Sequence, residues 1–193
     1  MTTLASARRT IESLKPVAAE VPGAALAAVS LILVEGESGL ETLLIRRVVR
    51  AGDPWSGQVA FPGGRRDPAD PDLLVTAMRE AREEVGVHLT AAESLGALDD
   101  LRPQSPTLPP VVVRPFTFGL ARRPAIAISK AEVDHAFWLP LAALAAPGAR
   151  RELTLMVRGA ERTFQAYVIG DETIWGMTER ILTPFAERLG VLR

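Results

Sequence analysis

Cysteine is absent from this chain of 193 residues, so disulfide bonds, zinc–thiolate sites and cysteine nucleophiles are all excluded. An excess of positive charge is absent too. The formal net charge is −1, which gives no electrostatic surface for binding bulk nucleic acid. No apolar run reaches the length of about 18 residues that a transmembrane helix needs, and no secretory signal stands at the amino terminus. We therefore expect a soluble cytoplasmic protein with no membrane partner.

The residues that are present occur in the proportions of a globular enzyme. Apolar residues make up 48% and charged residues 23% of the chain, which argues against disorder. The length is sufficient for a full hydrophobic core, and the chain contains no internal repeat and no long linker. We therefore predict one domain that covers residues 1–193.

Hydrophobic patterning predicts short strands with a few helices between them and no regular βαβ alternation. Two hairpins are predicted, one from residues 24–34 and 41–49, the other from 152–157 and 162–169. Other strands are predicted over 58–61, 95–98, 111–118 and 136–140. Helices are predicted over 3–15, 141–145 and 174–189, the last with a kink at Pro184. The expected fold class is α+β, or a layered α/β/α domain.

The most informative stretch is R-E-A-R-E-E-V-G-V, residues 79–87. In a helix, Glu80 lies three and four positions before Glu83 and Glu84, which places the three carboxylates on one face with Cβ atoms about 5–6 Å apart. Like charges at this spacing destabilise an isolated helix, and a bound divalent cation would offset their repulsion. Oxygen ligands favour a hard ion, Mg²⁺ first and Mn²⁺ or Ca²⁺ after it. The alternative is a solvated helix face supported by ion pairs such as Arg79–Glu83.

The segments on either side of this helix argue against a merely solvated face. The strand at 58–61 runs into Gly63-Gly64, and paired glycines let a ligand come close to the main chain. Three aspartates are candidate helix N-caps, namely Asp67, Asp70 and Asp72. Gly86 is placed to end the helix. The unit is therefore a strand, a glycine loop, an acidic helix and a glycine stop.

This unit resembles the Nudix box, whose pattern is G-x5-E-x7-R-E-U-x-E-E-x-G-U with U a bulky aliphatic residue. The match runs from Gly64 through Arg79 to Val87. Two departures occur. Asp70 stands where the family usually has glutamate, with eight residues rather than seven before Arg79, and the small Ala81 fills the first U position. The R-E-x-x-E-E-x-G portion is intact.

Membership of the Nudix family implies a mixed β-sheet sandwiched between helices, with the box helix against the sheet. It also implies a hydrolase that cleaves a diphosphate with Mg²⁺ or Mn²⁺. The implied metal ligands are Glu80, Glu83, Glu84 and the carbonyl of Gly64. Glu80 and Glu83 are the implied catalytic carboxylates, with Arg79 orienting a glutamate.

The general base is left open between one of these carboxylates and one from a later loop. Glu132 is a candidate for the second, although a solvated or helix-capping glutamate explains this residue more simply.

Three segments outside the box resemble the coenzyme A pyrophosphatases of this family: SGQVAFPGG, SKAEVDHAFWLPL and IWGMTERIL. The implied substrate is CoA or an acyl-CoA, cleaved to 3′,5′-ADP and a 4′-phosphopantetheine. The upstream CoA signature of the subgroup is degraded. Arg46, Val48 and Val49 replace its small polar positions, and Asp53 replaces its arginine. ADP-ribose, NADH or a nucleoside triphosphate are therefore alternative substrates, and a non-catalytic ligand-binding module is an alternative of another class.

Four residues are the predicted substrate contacts: Arg46, Arg47, Trp55 and Gly63. For the arginines, a solvated strand edge is as good an explanation as phosphate binding. For Trp55, anchoring of its loop to the core is the alternative to stacking on a base. The proline-rich loop 99–110 could cover a substrate or serve as a stiff connector. The partner is a small nucleotide diphosphate, and homodimer formation is left open.

Overall fold

The structure, a computed structural model, describes residues 2–103, 110–157 and 159–192. The helices are α1 (Leu4–Glu12), α2 (Leu73–Val85) and α3 (Met177–Arg188), with short 3₁₀ turns at Ala91–Glu93 and Leu141–Ala145. The strands are β1 (Ala25–Gly36), β2 (Gly39–Arg47), β3 (Val59–Ala60), β4 (Gly63–Arg65), β5 (Ser94–Ala97), β6 (Val111–Gly119), β7 (Val133–Pro140), β8 (Arg150–Val157), β9 (Ala160–Ile169) and β10 (Glu172–Trp175).

Strand β1 is the centre of a mixed sheet with the order β3-β2-β1-β6-β5, to which β7 adds beside β2 and β4 beside β1. It pairs in parallel with β6 from Ala25 to Leu33. Its carboxyl-terminal half pairs with β2, with Leu33 opposite Thr42, whereas its amino-terminal half pairs with β4, with Ala28 opposite Gly64. The sheet therefore divides midway along β1, where β2 turns away and the double glycine takes its place.

The two faces of this sheet are covered by different helices. Leu31 and Leu33 of β1 belong to an apolar cluster that includes residues of α1 and α3. Ile32 and Val34, on the opposite side of the pleat, pack in a second cluster with residues of α2. This alternation follows from the two-residue period of a strand. The predicted α+β class, with a mixed sheet between helices, is confirmed.

A second, three-stranded sheet has the order β10-β9-β8; its β8–β9 hairpin was predicted, and strand β10 was not. The helix predicted over residues 174–189 is wrong at its start, because Ile174 lies in β10 opposite Tyr167. Gly176, with φ 69°, separates this strand from α3. Ile174 is fully buried in the strand, so its apolar character is compatible with a buried strand as well as with the predicted helix. Helix α3 continues past Pro184 as one helix.

The remaining predicted elements differ from the structure mainly at their ends. Helix α1 is shorter than the predicted 3–15 and starts with a capping box formed by Thr3 and Ser6. Strand β7 begins at Val133, three residues before the predicted start. Both predicted hairpins are present. Residues 104–109, within the predicted covering loop, lie outside the described residues. No helix in the described ranges has the length and apolar composition to cross a membrane.

Candidate active site

Helix α2 carries the acidic stretch, and its two ends are fixed by residues of the box. Of the three candidate N-caps, Asp72 has the role, accepting the N–H of Val75 at 2.9 Å. Gly86 ends the helix in the left-handed conformation, with φ 70°. Ala81 is fully buried against the sheet. The small residue at this position therefore lies where the helix is pressed closely onto the strands.

Asp70 does not cap the helix but holds Arg79. Both of its carboxylate oxygens accept from the guanidinium, with Nη2 3.0 Å from Oδ2 and Nε 3.1 Å from Oδ1. Oδ2 also accepts from the hydroxyl of Thr76 at 2.9 Å. Asp70 is buried, but the bonds from Arg79 dominate and lower its pKa to about 2. The carboxylate of Asp70 thus fixes the position of the Arg79 guanidinium.

We expect Asp70→Asn to lower the free energy of unfolding by about 2 kcal/mol at pH 7. The carboxyl has a folded-state pKa of about 2, below its ordinary 3.8. It therefore stabilises the fold above pH 3.8, and this contribution is lost as the pH falls through the folded-state pKa. Urea unfolding of both proteins at pH 5 and pH 2.5 measures the effect, since the difference should shrink at the lower pH. Asp72→Asn is the control, because asparagine caps a helix as well as aspartate does.

Arg79 in turn holds two of the box glutamates. Its Nη1 lies 2.8 Å from Oε1 of Glu80 and 2.8 Å from Oε2 of Glu83. These contacts, with those to Asp70, raise the pKa of the arginine above its ordinary value. The side chain of Glu83 is 48% exposed. Arg79 is therefore placed to orient glutamates, as the resemblance implied.

Glu84 is the buried member of the acidic set, with 1% of its surface exposed. Its Oε2 accepts the backbone N–H of Gly63 at 2.8 Å, and its Oε1 lies 3.8 Å from Nη1 of Arg47, longer than a hydrogen bond. Burial raises the pKa of Glu84 to about 8, against the opposing effect of the Gly63 bond. Burial also raises the pKa of Glu80. Glu80 and Glu84 are therefore two carboxylates at the double glycine whose ionised forms are disfavoured by burial.

A cavity of about 450 Å³ opens beside these two carboxylates. Its wall has a charged part, formed by Arg47, Arg50, Asp53, Arg65, Glu80, Glu84 and Glu132. It also has an apolar part at the sheet and α3, formed by Ala27, Val29, Trp55, Phe61, Val111, Val113, Met177 and Ile181. The cavity can accept a ligand that has both charged and apolar parts.

The structure brings together six of the predicted site residues in this wall: Arg47, Trp55, Gly63, Gly64, Glu80 and Glu84. Three others do not line it. Arg46 points away, bonded to Glu172 and to the Gly57 carbonyl, because neighbouring residues of a strand face opposite sides. Arg79 and Glu83 are not part of the cavity wall and are paired with each other.

The described residues contain no group of three acidic, histidine or cysteine side chains already arranged to hold a metal. Of the three carboxylates predicted on one face of the helix, Glu80 and Glu84 line the cavity and Glu83 pairs with Arg79.

Sequence reasoning missed the contribution of α3. Met177 and Ile181 line the cavity, and Ile181 is also a buried member of the apolar core cluster. Thr178 lines the cavity too, and its hydroxyl donates to the Val59 carbonyl at 2.8 Å. The only signal was the segment IWGMTERIL, which already resembled one subgroup. Glu132, a candidate on weak grounds, does lie in the wall.

The NUDIX domain family model matches residues 25–158. This chain belongs to the NUDIX domain family. It is 34% identical over 171 residues to the human mitochondrial coenzyme A diphosphatase NUDT8, covering 87% of this chain and 70% of that protein. It is 32% identical over 150 residues to the Nudix hydrolase NudL of Photorhabdus laumondii, covering 78% of each chain. A protein of Schizosaccharomyces pombe is 34% identical over 131 residues, and the match spans 65% of this chain but only 40% of that protein.

Solved structures show the same fold. A MutT/nudix family protein from Enterococcus faecalis superposes with a TM-score of 0.59 at 19% identity, covering 97% of this chain and 70% of that one. The NUDIX domain of Shewanella oneidensis NrtR, solved with ADP ribose, gives 0.52 at 23% identity, covering 65% of this chain and 78% of that one. The predictions of a Nudix fold and of a Nudix pyrophosphatase are confirmed.

Proposed function

We propose that this Nudix pyrophosphatase cleaves the diphosphate of CoA or an acyl-CoA, with Mg²⁺ or Mn²⁺, to give 3′,5′-ADP and a 4′-phosphopantetheine. The observation that carries the proposal is the placement of Glu80 and Glu84 beside the double glycine, in the wall of a cavity that also has an apolar lining. The contacts of Glu80 with Arg79 and of Glu84 with the Gly63 N–H do not offset the cost of burying the two charges, because burial still raises the pKa of both carboxyls. A cation between them and the substrate would offset that cost.

The residues fit a divalent metal ion. A Cβ built on Gly64 would lie 2.4 Å from Oε1 of Glu80, so this carboxylate rests directly against the main chain. Glu80, Glu84 and the Gly64 carbonyl would hold the ion, and Glu83 could join them by releasing Arg79. An ion held there neutralises phosphate charge and lowers the pKa of a bound water.

Other side chains would act on the substrate itself. Arg47, Arg50 and Arg65 line the cavity, and their guanidinium groups would bind phosphate oxygens in bidentate fashion. Glu132 lies in the same wall and is the proposed general base, accepting a proton from the attacking water. Arg79 acts through Glu80 and Glu83 and touches no substrate.

Glu132→Gln is expected to reduce kcat by about 100-fold, the range found for loss of a general base. The Mn²⁺ affinity, measured by calorimetry, should stay unchanged, since the glutamine removes a proton acceptor and not a ligand. Glu37→Gln, on the exposed turn between β1 and β2, is the control. Full activity of Glu132→Gln would return the base role to a box carboxylate.

The choice of substrate is supported by the likeness to human NUDT8 and by the apolar part of the cavity wall. We expect hydrolysis of CoA and acyl-CoA, followed by release of 3′,5′-ADP, in a panel that also contains ADP-ribose, NADH and nucleoside triphosphates, each with Mg²⁺ and with Mn²⁺. Turnover of ADP-ribose with inert CoA would overturn the CoA assignment. No turnover of any diphosphate would favour a ligand-binding module.

A further inference from the structure

Asp53 lies on the loop between β2 and β3 and holds two groups of the cavity wall. Its Oδ2 accepts from Nη2 of Arg47 at 2.9 Å, and its Oδ1 accepts the backbone N–H of Trp55 at 3.0 Å. Burial alone would raise the pKa of Asp53, but the bonds from Trp55 and Arg47 outweigh it and lower the pKa. This carboxylate is therefore ionised and fully engaged at neutral pH.

Arg47 is held between two carboxylates. One contact is the short bond to Asp53; the other is the 3.8 Å separation between Nη1 and Oε1 of Glu84. Its buried Nε has no hydrogen-bond partner among the described residues. The attraction between unlike charges grows as they approach and as water is excluded. A small movement of the Arg47 side chain toward Glu84 would thus shorten this separation to a hydrogen-bonded ion pair. The bond to Asp53 opposes that movement.

Such an ion pair would affect the oxygen that a metal needs. Oε2 of Glu84 already accepts the Gly63 N–H, so Oε1 is the oxygen left for a cation. An arginine bonded to Oε1 would occupy it and neutralise the carboxylate.

We propose that Asp53 is a positioning residue that holds Arg47 off Glu84. It thereby keeps Oε1 of Glu84 free for the divalent cation. The inference rests on the metal site of the proposed function, but not on which diphosphate is cleaved.

The test is a calorimetric titration of Mn²⁺, without substrate, into wild type, Asp53→Asn, Arg47→Gln and the double variant. Asparagine keeps the size of Asp53 and removes its charge. We expect Asp53→Asn to bind Mn²⁺ about 10-fold more weakly, the lower end of the range for residues that orient ligands. Arg47→Gln should bind at least as tightly as wild type. The double variant should match Arg47→Gln, because no guanidinium remains to approach Glu84.

Ser56→Ala is the matched control. The Ser56 hydroxyl accepts the Arg50 N–H at 2.7 Å within the same loop, so the substitution removes a hydrogen bond of the loop without changing its charge. It should leave the Mn²⁺ affinity unchanged. A double variant as weak as Asp53→Asn would mean that Asp53 merely shapes the loop, and unchanged affinity in Asp53→Asn would also overturn the inference. Failure of wild type to bind Mn²⁺ would instead reject the metal site, and this inference with it.

Discussion

Glu84→Gln is expected to abolish metal-dependent hydrolysis while making the protein more stable. The glutamine Oε1 can still accept the Gly63 N–H that now bonds to the carboxylate at 2.8 Å, so the geometry of the double glycine is kept. The negative charge that a cation requires is lost. We expect kcat/KM to fall by at least about 100-fold, and Mn²⁺ to give no shift in the melting temperature, in contrast to wild type.

The gain in stability should depend on pH in a defined direction. The pKa of Glu84 is about 8 in the fold against 4.5 ordinarily, so its ionised form is disfavoured by folding. Wild type therefore loses stability as the pH rises from 4.5 to 8, by at most about 5 kcal/mol, and glutamine avoids that loss. Urea unfolding in chelator at pH 5 and pH 8.5 should show a small difference at pH 5 and a clear advantage of the variant at pH 8.5.

Glu83→Gln serves as the comparison on the same helix. Its side chain is 48% exposed and paired with Arg79, and exposed pairs contribute only about 0.2–1 kcal/mol. We expect almost no change in stability at either pH, whatever its effect on activity. If Glu84→Gln were destabilising to the same extent at both pH values, Glu84 would be a structural hydrogen-bond acceptor and the metal site would be in error.

The local part of the site could be predicted from the sequence. Glu80, Glu84 and Gly86 stand at fixed intervals on one helix, and the helix period alone relates their positions. The double glycine precedes them by a short segment. This local pattern could not tell which carboxylates reach the cavity: Glu80 lines it and Glu83 does not, although Arg79 contacts both.

The non-local part of the site could not be predicted. Arg46 and Arg47 are adjacent and chemically equal, and only the pairing of β2 decides that Arg47 faces the cavity while Arg46 bonds Glu172. Met177 lies 90 residues beyond the end of the box at Val87, and its place in the wall depends on how α3 packs on the sheet. Periodicity shows that a side chain is apolar and inward, but not whether a core or a cavity receives it.

The two glycines at 63 and 64 are expected to fail in different ways when changed to alanine. A Cβ on Gly63 would lie 2.3 Å from the carbonyl oxygen of Ala28 and 2.6 Å from the Cα of Val29. Both are backbone atoms of β1, which cannot move without separating β4 from the central strand. We expect Gly63→Ala to lose about 3 kcal/mol of stability or more, seen as an early thermal transition and little soluble protein.

Gly64→Ala should instead leave the fold intact and damage the site. Its Cβ would lie 2.4–2.6 Å from three atoms of the Glu80 carboxyl group, the far end of a flexible side chain that can swing aside. Displacing this proposed ligand should reduce kcat/KM and Mn²⁺ affinity by about 100-fold, with little change in melting temperature. The two variants therefore separate the stability of β4 from the position of Glu80.

A double-mutant cycle makes the second expectation specific. In a Glu80→Ala background the carboxylate that the new methyl group would strike is gone. Adding Gly64→Ala to that background should therefore change Mn²⁺ affinity hardly at all, and the two substitutions should be strongly non-additive. Additive losses would mean that the methyl group disturbs the backbone at residue 64 itself. The close approach of Glu80 would then not be the reason that this position requires glycine.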